Sequence, residues 1–142
     1  VSTYISESLR KQIIDSDESR CCYCLTSEAN SGIPMTYDHI QPVSQGGDTN
    51  FENLCLACRS CNEYKSNLTE SIDPLTGETI SLFNPRKQKW SEHFVWSPDG
   101  TRVEGITAIG RATITRLRMN NPVITVARKR WVISGWHPPT NE

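Results

Sequence analysis

Residues 21–65 read CCYCLTSEANSGIPMTYDHIQPVSQGGDTNFENLCLACRSCNEYK, and the punctuation of this stretch decides the fold. Cys21 and Cys24 form one C-x-x-C; Cys55, Cys58 and Cys61 give two that overlap. Thiolates at that spacing point to a tetrahedral zinc ion, because each C-x-x-C turn brings two sulfurs to about 2.3 Å from one metal. Cys58 can pair with either Cys55 or Cys61, although using Cys55 would strand Cys61 beside Asn62. A 33-residue spacer, 25–57, lies between the outer pairs, so a zinc ion would close a loop that a small core could not.

Hard, oxygen-rich side chains sit inside and just after that loop. Hydrolysis of a phosphodiester needs a base for water, a cation for the phosphate and leaving oxygen, and a frame to hold both. Imidazole titrates near neutrality, which makes His39 the candidate base. Asp38 and Asn62 offer a carboxylate and an amide oxygen, donors that suit Mg²⁺ or Mn²⁺ better than zinc. Asn53 reads as structural, its amide able to bond backbone on both sides of the Gly46–Asn50 loop. Adjacent strand residues point to opposite faces. Asp38 and His39 can therefore serve one phosphate only if the strand ends or bulges there, or if they act from two sides.

The flanking pattern predicts an α+β chain. Ile5, Leu9, Ile13 and Ile14 have helical spacing within 3–19. A strand is expected over 36–41, stopped by Pro42, then a long turn at 46–50, a short strand near 53–56 and a helix from Arg59 to about Asn67. Strand, loop, strand, helix is a ββα unit. Beyond a turn at 73–77, two strands flanking Ser97-Pro98-Asp99-Gly100 form a hairpin. Thr107 caps a helix over about 108–118, and Asn121-Pro122 starts another reaching about 133. On that last helix Val123, Ile124, Ala127 and Trp131 share one face, which would leave Arg128, Lys129 and Arg130 outside. The division expected is 1–82 as zinc-stapled core and 83–142 as a hairpin-helix extension packed on it, within one compact domain. His93, among aromatics, reads as packing, and His137 as surface.

The net charge of −1 hides a split: 5 Lys/Arg against 12 Asp/Glu in 1–82 (−7), and 10 against 4 in 83–142 (+6). A nucleic-acid partner would draw its phosphate attraction mainly from the second half. Candidate contacts are Lys65 and Arg59 on the ββα helix, Arg86, Lys87 and Lys89 beside Trp90, and Arg128, Lys129 and Arg130. No base-reading element stands out, so weak sequence preference is expected. No apolar run approaches the ~20 residues of a membrane span and no signal pattern opens the sequence, so a cytoplasmic protein without a membrane partner is expected.

The order D-H-I at 38–40, G-G at 46–47, N-L at 53–54 and C-x-x-C-N-x-x-K at 58–65 resembles the HNH (ββα-metal) endonucleases, in their zinc-containing bacterial and phage form. The resemblance covers 21–67; L-F-N-P-R, W-S-E-H-F and G-W-H-P-P at 82–86, 90–94 and 135–139 resemble the tail of a group of bacterial members. It implies that the cysteines preceding the Asn, Cys58 and Cys61, are ligands with Cys21 and Cys24. Cys22 and Cys55 are then small buried hydrophobes. It also implies Asp38 as metal ligand, His39 as base and Asn62 where the family name has its second His. The function implied is a metal-dependent DNA endonuclease with structural Zn²⁺ and catalytic Mg²⁺ or Mn²⁺. Such a unit nicks as a monomer and cuts both strands only as a homodimer or through two separate events. The alternative is an inert zinc-dependent nucleic-acid-binding module.

Overall fold

A computed structural model describes residues 3–139. The chain is α+β, with short helices and three separate two-stranded antiparallel sheets among the described residues. It divides into two compact units. The first runs to Thr69 and takes back Asn84–Lys87; the second comprises Glu70–Phe83 and the residues from Gln88 onward.

In the first unit, α1 (Glu7–Asp17) starts where the Ser6 side chain accepts from Leu9 N, and ends at Glu18, which turns left-handed at φ 56°. Ile5 and Ile13 bury the inner stripe of this segment. A single turn, α2 (Glu28–Ser31), leads to β1 (Thr36–His39). β1 pairs with β2 (Leu54–Ala57) in the register Thr36–Ala57, Tyr37–Leu56, Asp38–Cys55 and His39–Leu54. All four β2 residues are buried, as expected of a strand covered on both faces: α1 packs against it. The helix α3 (Arg59–Lys65) follows and buries Cys61 and Lys65, one turn apart.

The second unit opens with a hairpin where the sequence predicts only a turn: β3 (Glu70–Ile72) and β4 (Thr79–Ser81). Its turn is organised by Asp73, whose carboxylate accepts from Leu75 N and Thr76 Oγ1 and takes both Nε and Nη2 of Arg111 at 2.9 Å. Arg111 lies on α4 (Ala108–Leu117), which packs on β3, β4 and β6 (Val103–Gly105). Those contacts explain why 70–82 joins the second unit, not the first segment to which a division at 82 assigns it. The hairpin of β5 (Phe94–Trp96) and β6 turns at Gly100, φ 75°. Thr107 and Asn121 cap α4 and α5 (Pro122–Ile133) through their side chains. Gly110 admits no side chain, since a Cβ there would meet His93 O at 2.0 Å. The core gathers Leu82, Phe83, Trp90, Phe94, Val103, Ala112, Leu117 and Met119, with Phe83 edge-on to Phe94 at 5.2 Å.

Three sequence expectations are corrected here. Arg128 is fully buried: its guanidinium donates to Thr101 O, Asn120 Oδ1 and Met119 O and lies over Trp96. It satisfies acceptors of the β5–β6 turn and of the chain just past α4, so it is no outward cation. Val123, assigned to the apolar face, is 81% exposed. His137 is buried between Trp96 and Trp131, with Nε2 3.1 Å from Gly100 O.

The Arg111 guanidinium holds the Asp73 carboxyl well below the usual carboxylate range. A depressed carboxyl stabilises the fold at pH values above the unfolded value of about 3.9 and loses that effect as pH falls below it. Asp73→Asn therefore lowers the melting temperature at pH 7, and the deficit against wild type shrinks between pH 4 and pH 2. A deficit independent of pH would assign the loss to turn geometry instead of charge.

Candidate active site

The four sulfurs expected to hold zinc meet. Cys21, Cys24, Cys58 and Cys61 have their Sγ atoms within 4.8 Å of one another, and Cys24 and Cys58 are 3.7 Å apart. A tetrahedral ion with bonds of about 2.3 Å requires sulfurs about 3.8 Å apart, so the cluster has the dimensions of a zinc site. Cys24 N donates to Cys21 Sγ at 3.5 Å and Cys61 N to Cys58 Sγ at 3.4 Å, the two knuckle turns. Cys58 also serves as N-cap of α3, so the cluster fixes where that helix begins. Burial pushes the Cys21 thiol well up, whereas a divalent cation among the sulfurs would favour the thiolate. Cys22 and Cys55 stand outside the cluster. Cys22 is half-buried, and the neighbouring buried Cys55 pushes its thiol far up.

Asp38 and His39 take opposite sides of β1, as alternation demands. Asp38 is only 4% exposed and faces inward. Tyr23 OH donates to its Oδ2 at 2.7 Å, and Lys65 Nζ lies 3.2 Å from each carboxylate oxygen. Burial pushes the Asp38 carboxyl up, and the Lys65 ammonium and Tyr23 hydroxyl pull it back. Lys65 also donates to His39 O and Ile40 O. At 1% exposure its ammonium is a buried counter-ion, which corrects its reading as a phosphate contact. One turn earlier on α3, Asn62 Nδ2 donates to Thr36 Oγ1 at 2.8 Å.

His39 ends β1 on the other side, where its Nε2 lies 3.0 Å from Thr49 Oγ1 in the loop. That loop is pinned by Asn53. Its Nδ2 donates to Gln41 O and Asp48 O, and its Oδ1 accepts from Gln41 N at 2.8 Å. Gly47 must lack a side chain because a Cβ would stand 1.8 Å from Gln41 O and 2.9 Å from Asn53 Nδ2. The strand-ending side chain that His39 presents is thus held by a loop closed on an asparagine.

Arg86 is likewise no free cation. Its guanidinium pairs bidentately with Asp17, 2.7 and 3.1 Å, donates to Phe51 O and lies over the Phe51 ring. Asp17 in turn accepts from Leu56 N of β2. The L-F-N-P-R segment therefore clips the end of α1 to β2. Arg59, Lys87, Lys89, Lys129 and Arg130 are exposed. Thr36, Tyr23 and Thr49 were missed in the sequence. Thr36 could have been found from its two-residue offset to Asp38 on one strand face; Tyr23 and Thr49 carry no such signal, since only folding brings them near.

Residues 21–68, a third of the chain, match the family model described as HNH endonuclease. That segment resembles an HNH domain. Comparison with curated proteins and with solved structures gave no match. The match spans both knuckles and every residue of the Asp38, His39, Asn53 and Asn62 set, so nuclease activity is supported at the level of the family. Among the described residues no helix is long and apolar enough to cross a membrane.

Zinc binding to such clusters is worth about 10–16 kcal/mol, as much as the whole stability of a small domain. Cys58→Ser and chelation should therefore each unfold the first unit, followed by circular dichroism and bound zinc. Cys22→Ser and Cys55→Ser should keep one zinc per chain; loss of zinc from either would redraw the ligand set.

Proposed function

We propose that the protein is a metal-dependent DNA endonuclease in which His39 is the general base and Asp38 and Asn62 hold a single Mg²⁺ or Mn²⁺ ion. The observation that carries this reading is the pairing of α3 with β1, which sets Asn62 against Thr36 and Lys65 against Asp38 while His39 stands on the side of the loop. Asn62 Oδ1 has no donor among the described residues, and Asp38 Oδ1 keeps an acceptor position beyond Lys65. Two hard oxygens on facing elements fit a hard divalent cation, with Lys65 and Tyr23 holding the carboxylate in place. When bound, the ion supplies charge stabilisation to the phosphate and the departing 3′-oxygen.

The chain's own contribution is position and proton transfer. With Nε2–H donated to Thr49, the His39 ring keeps a lone pair on Nδ1 for the proton of the attacking water. Asn53 keeps the loop, and with it Thr49, in register. Exposed Arg59, Lys87, Lys89, Lys129 and Arg130 provide phosphate contacts without base readout, so cleavage has weak sequence preference. One site cuts one strand, making a nick the product of a monomer.

Supercoiled plasmid should be nicked only when Mg²⁺ or Mn²⁺ is added to zinc-loaded protein, and His39→Ala should slow nicking by about 10²-fold or more while leaving the melting temperature intact. Wild-type turnover in that variant would sink the base assignment; no cleavage with retained DNA binding would favour the inert zinc module. Neutralising Lys129 and Arg130 together should reduce the slope of log affinity against log salt by about 2. An unaltered slope would remove α5 from the interface.

A further inference from the structure

We infer that Thr36 is a positioning residue that selects which end of the Asn62 amide is offered to the catalytic cation; the inference rests on the reading of Asn62 as an ion ligand. Asn differs from Asp at such a post because only one of its two terminal atoms can bind a metal. Turned by 180° about its last bond, the side chain would present two N–H groups to a cation, which is repulsive. Something must therefore fix the rotation.

Thr36 does so through the direction of one proton. Its Oγ1 lies 2.7 Å from Ala57 O, an acceptor only, so the hydroxyl proton is committed there. The β1–β2 register sets Thr36 opposite Ala57, which keeps this bond in place. Toward Asn62, 2.8 Å away, the same oxygen can only accept. The atom facing it must then be Nδ2, and Oδ1 is turned away from Thr36. The reverse orientation would set two lone-pair oxygens against each other with no proton between them. Being β-branched, Thr36 has little χ1 freedom with which to escape the arrangement. Asn62 and Thr36 both line an open groove of about 340 Å³, shared with Arg59, Glu63 and Ser66. The polarity of the chain Ala57 O, Thr36 OH, Asn62 NH₂ thus runs from the strand backbone to the site and ends on a metal-binding oxygen.

A merely structural threonine would not care whether residue 62 is Asn or Asp, and the test uses that difference. Mn²⁺ affinity is measured by electron paramagnetic resonance on the zinc-loaded full chain without DNA, beside the Mg²⁺ dependence of nicking. Thr36→Val should weaken Mn²⁺ binding about tenfold or more, the usual cost of losing a group that orients a metal ligand, and Thr36→Ser should restore it. In the Asn62→Asp background, where both terminal atoms are oxygens and neither donates to Thr36, Thr36→Val should not weaken Mn²⁺ binding. Equal weakening in both backgrounds, or none in the first, would overturn the inference while wild-type binding and His39-dependent nicking left the nuclease reading standing. Wild-type protein that binds no Mn²⁺ would overturn both. Should Thr36→Val lose its zinc, the wild-type side chain decides: the Asn62 Nδ2 proton must stay protected from exchange when Mg²⁺ is added, and loss of that protection would overturn the proposal.

Discussion

The four-sulfur cluster is the constraint from which the first unit takes its shape. Four thiolates that close would repel one another, and a divalent cation would hold together two knuckles separated by 33 residues. Each knuckle is also a start: Cys22 N, beside Cys21, bonds Leu56 O of β2, and Cys58 caps α3. The cluster thereby sets the phase of the helix that carries Asn62 and Lys65 over β1. A short helix of seven residues has little stability of its own, so its register depends on that cap and on what its inner face meets.

What it meets is a buried ionic pair. Lys65 and Asp38 would each be costly to bury alone, and together with Tyr23 they satisfy one another and two strand-end carbonyls. The same arrangement stiffens the end of β1, where the backbone passes from Asp38 to His39. A catalytic group benefits when its neighbours are held by packing and hydrogen bonds on a strand end instead of a free loop. Arg86 and Asp17 repeat the device at the other edge of β2, where a returning segment of chain supplies the cation. In the second unit Arg111 with Asp73, and Arg128 with three acceptors, do so again. Several of the chain's cations are thus internal ties, which narrows its cationic surface.

That narrowing shows where sequence reading stops. Charge type is visible in the sequence; accessibility is not. Arg128 stands between Ala127 and Lys129 with nothing local to mark it as internal, and its partners Thr101, Met119 and Asn120 come from the hairpin and the end of α4. Lys65 occupies the position expected of a phosphate contact, and only the register of α3 on β1 turns it inward. The β3–β4 hairpin was missed for a related reason: its strands are three residues each with little apolar alternation, and Arg111, which secures the turn, is 38 residues from Asp73.

The sequence by itself determined most of the element types, the caps at Thr107 and Asn121, the two knuckles and the candidate Asp38, His39, Asn53 and Asn62 set, because spacing, capping chemistry and ligand preference act over a few residues. The tertiary structure decided which cations face solvent, which side of β1 each member of the Asp-His pair takes, and that Tyr23, Thr36 and Thr49 hold the set in place. Those decisions rest on hydrogen bonds between residues 8 to 69 positions apart, where the direction of a single donor or the burial of a single charge outweighs any local preference.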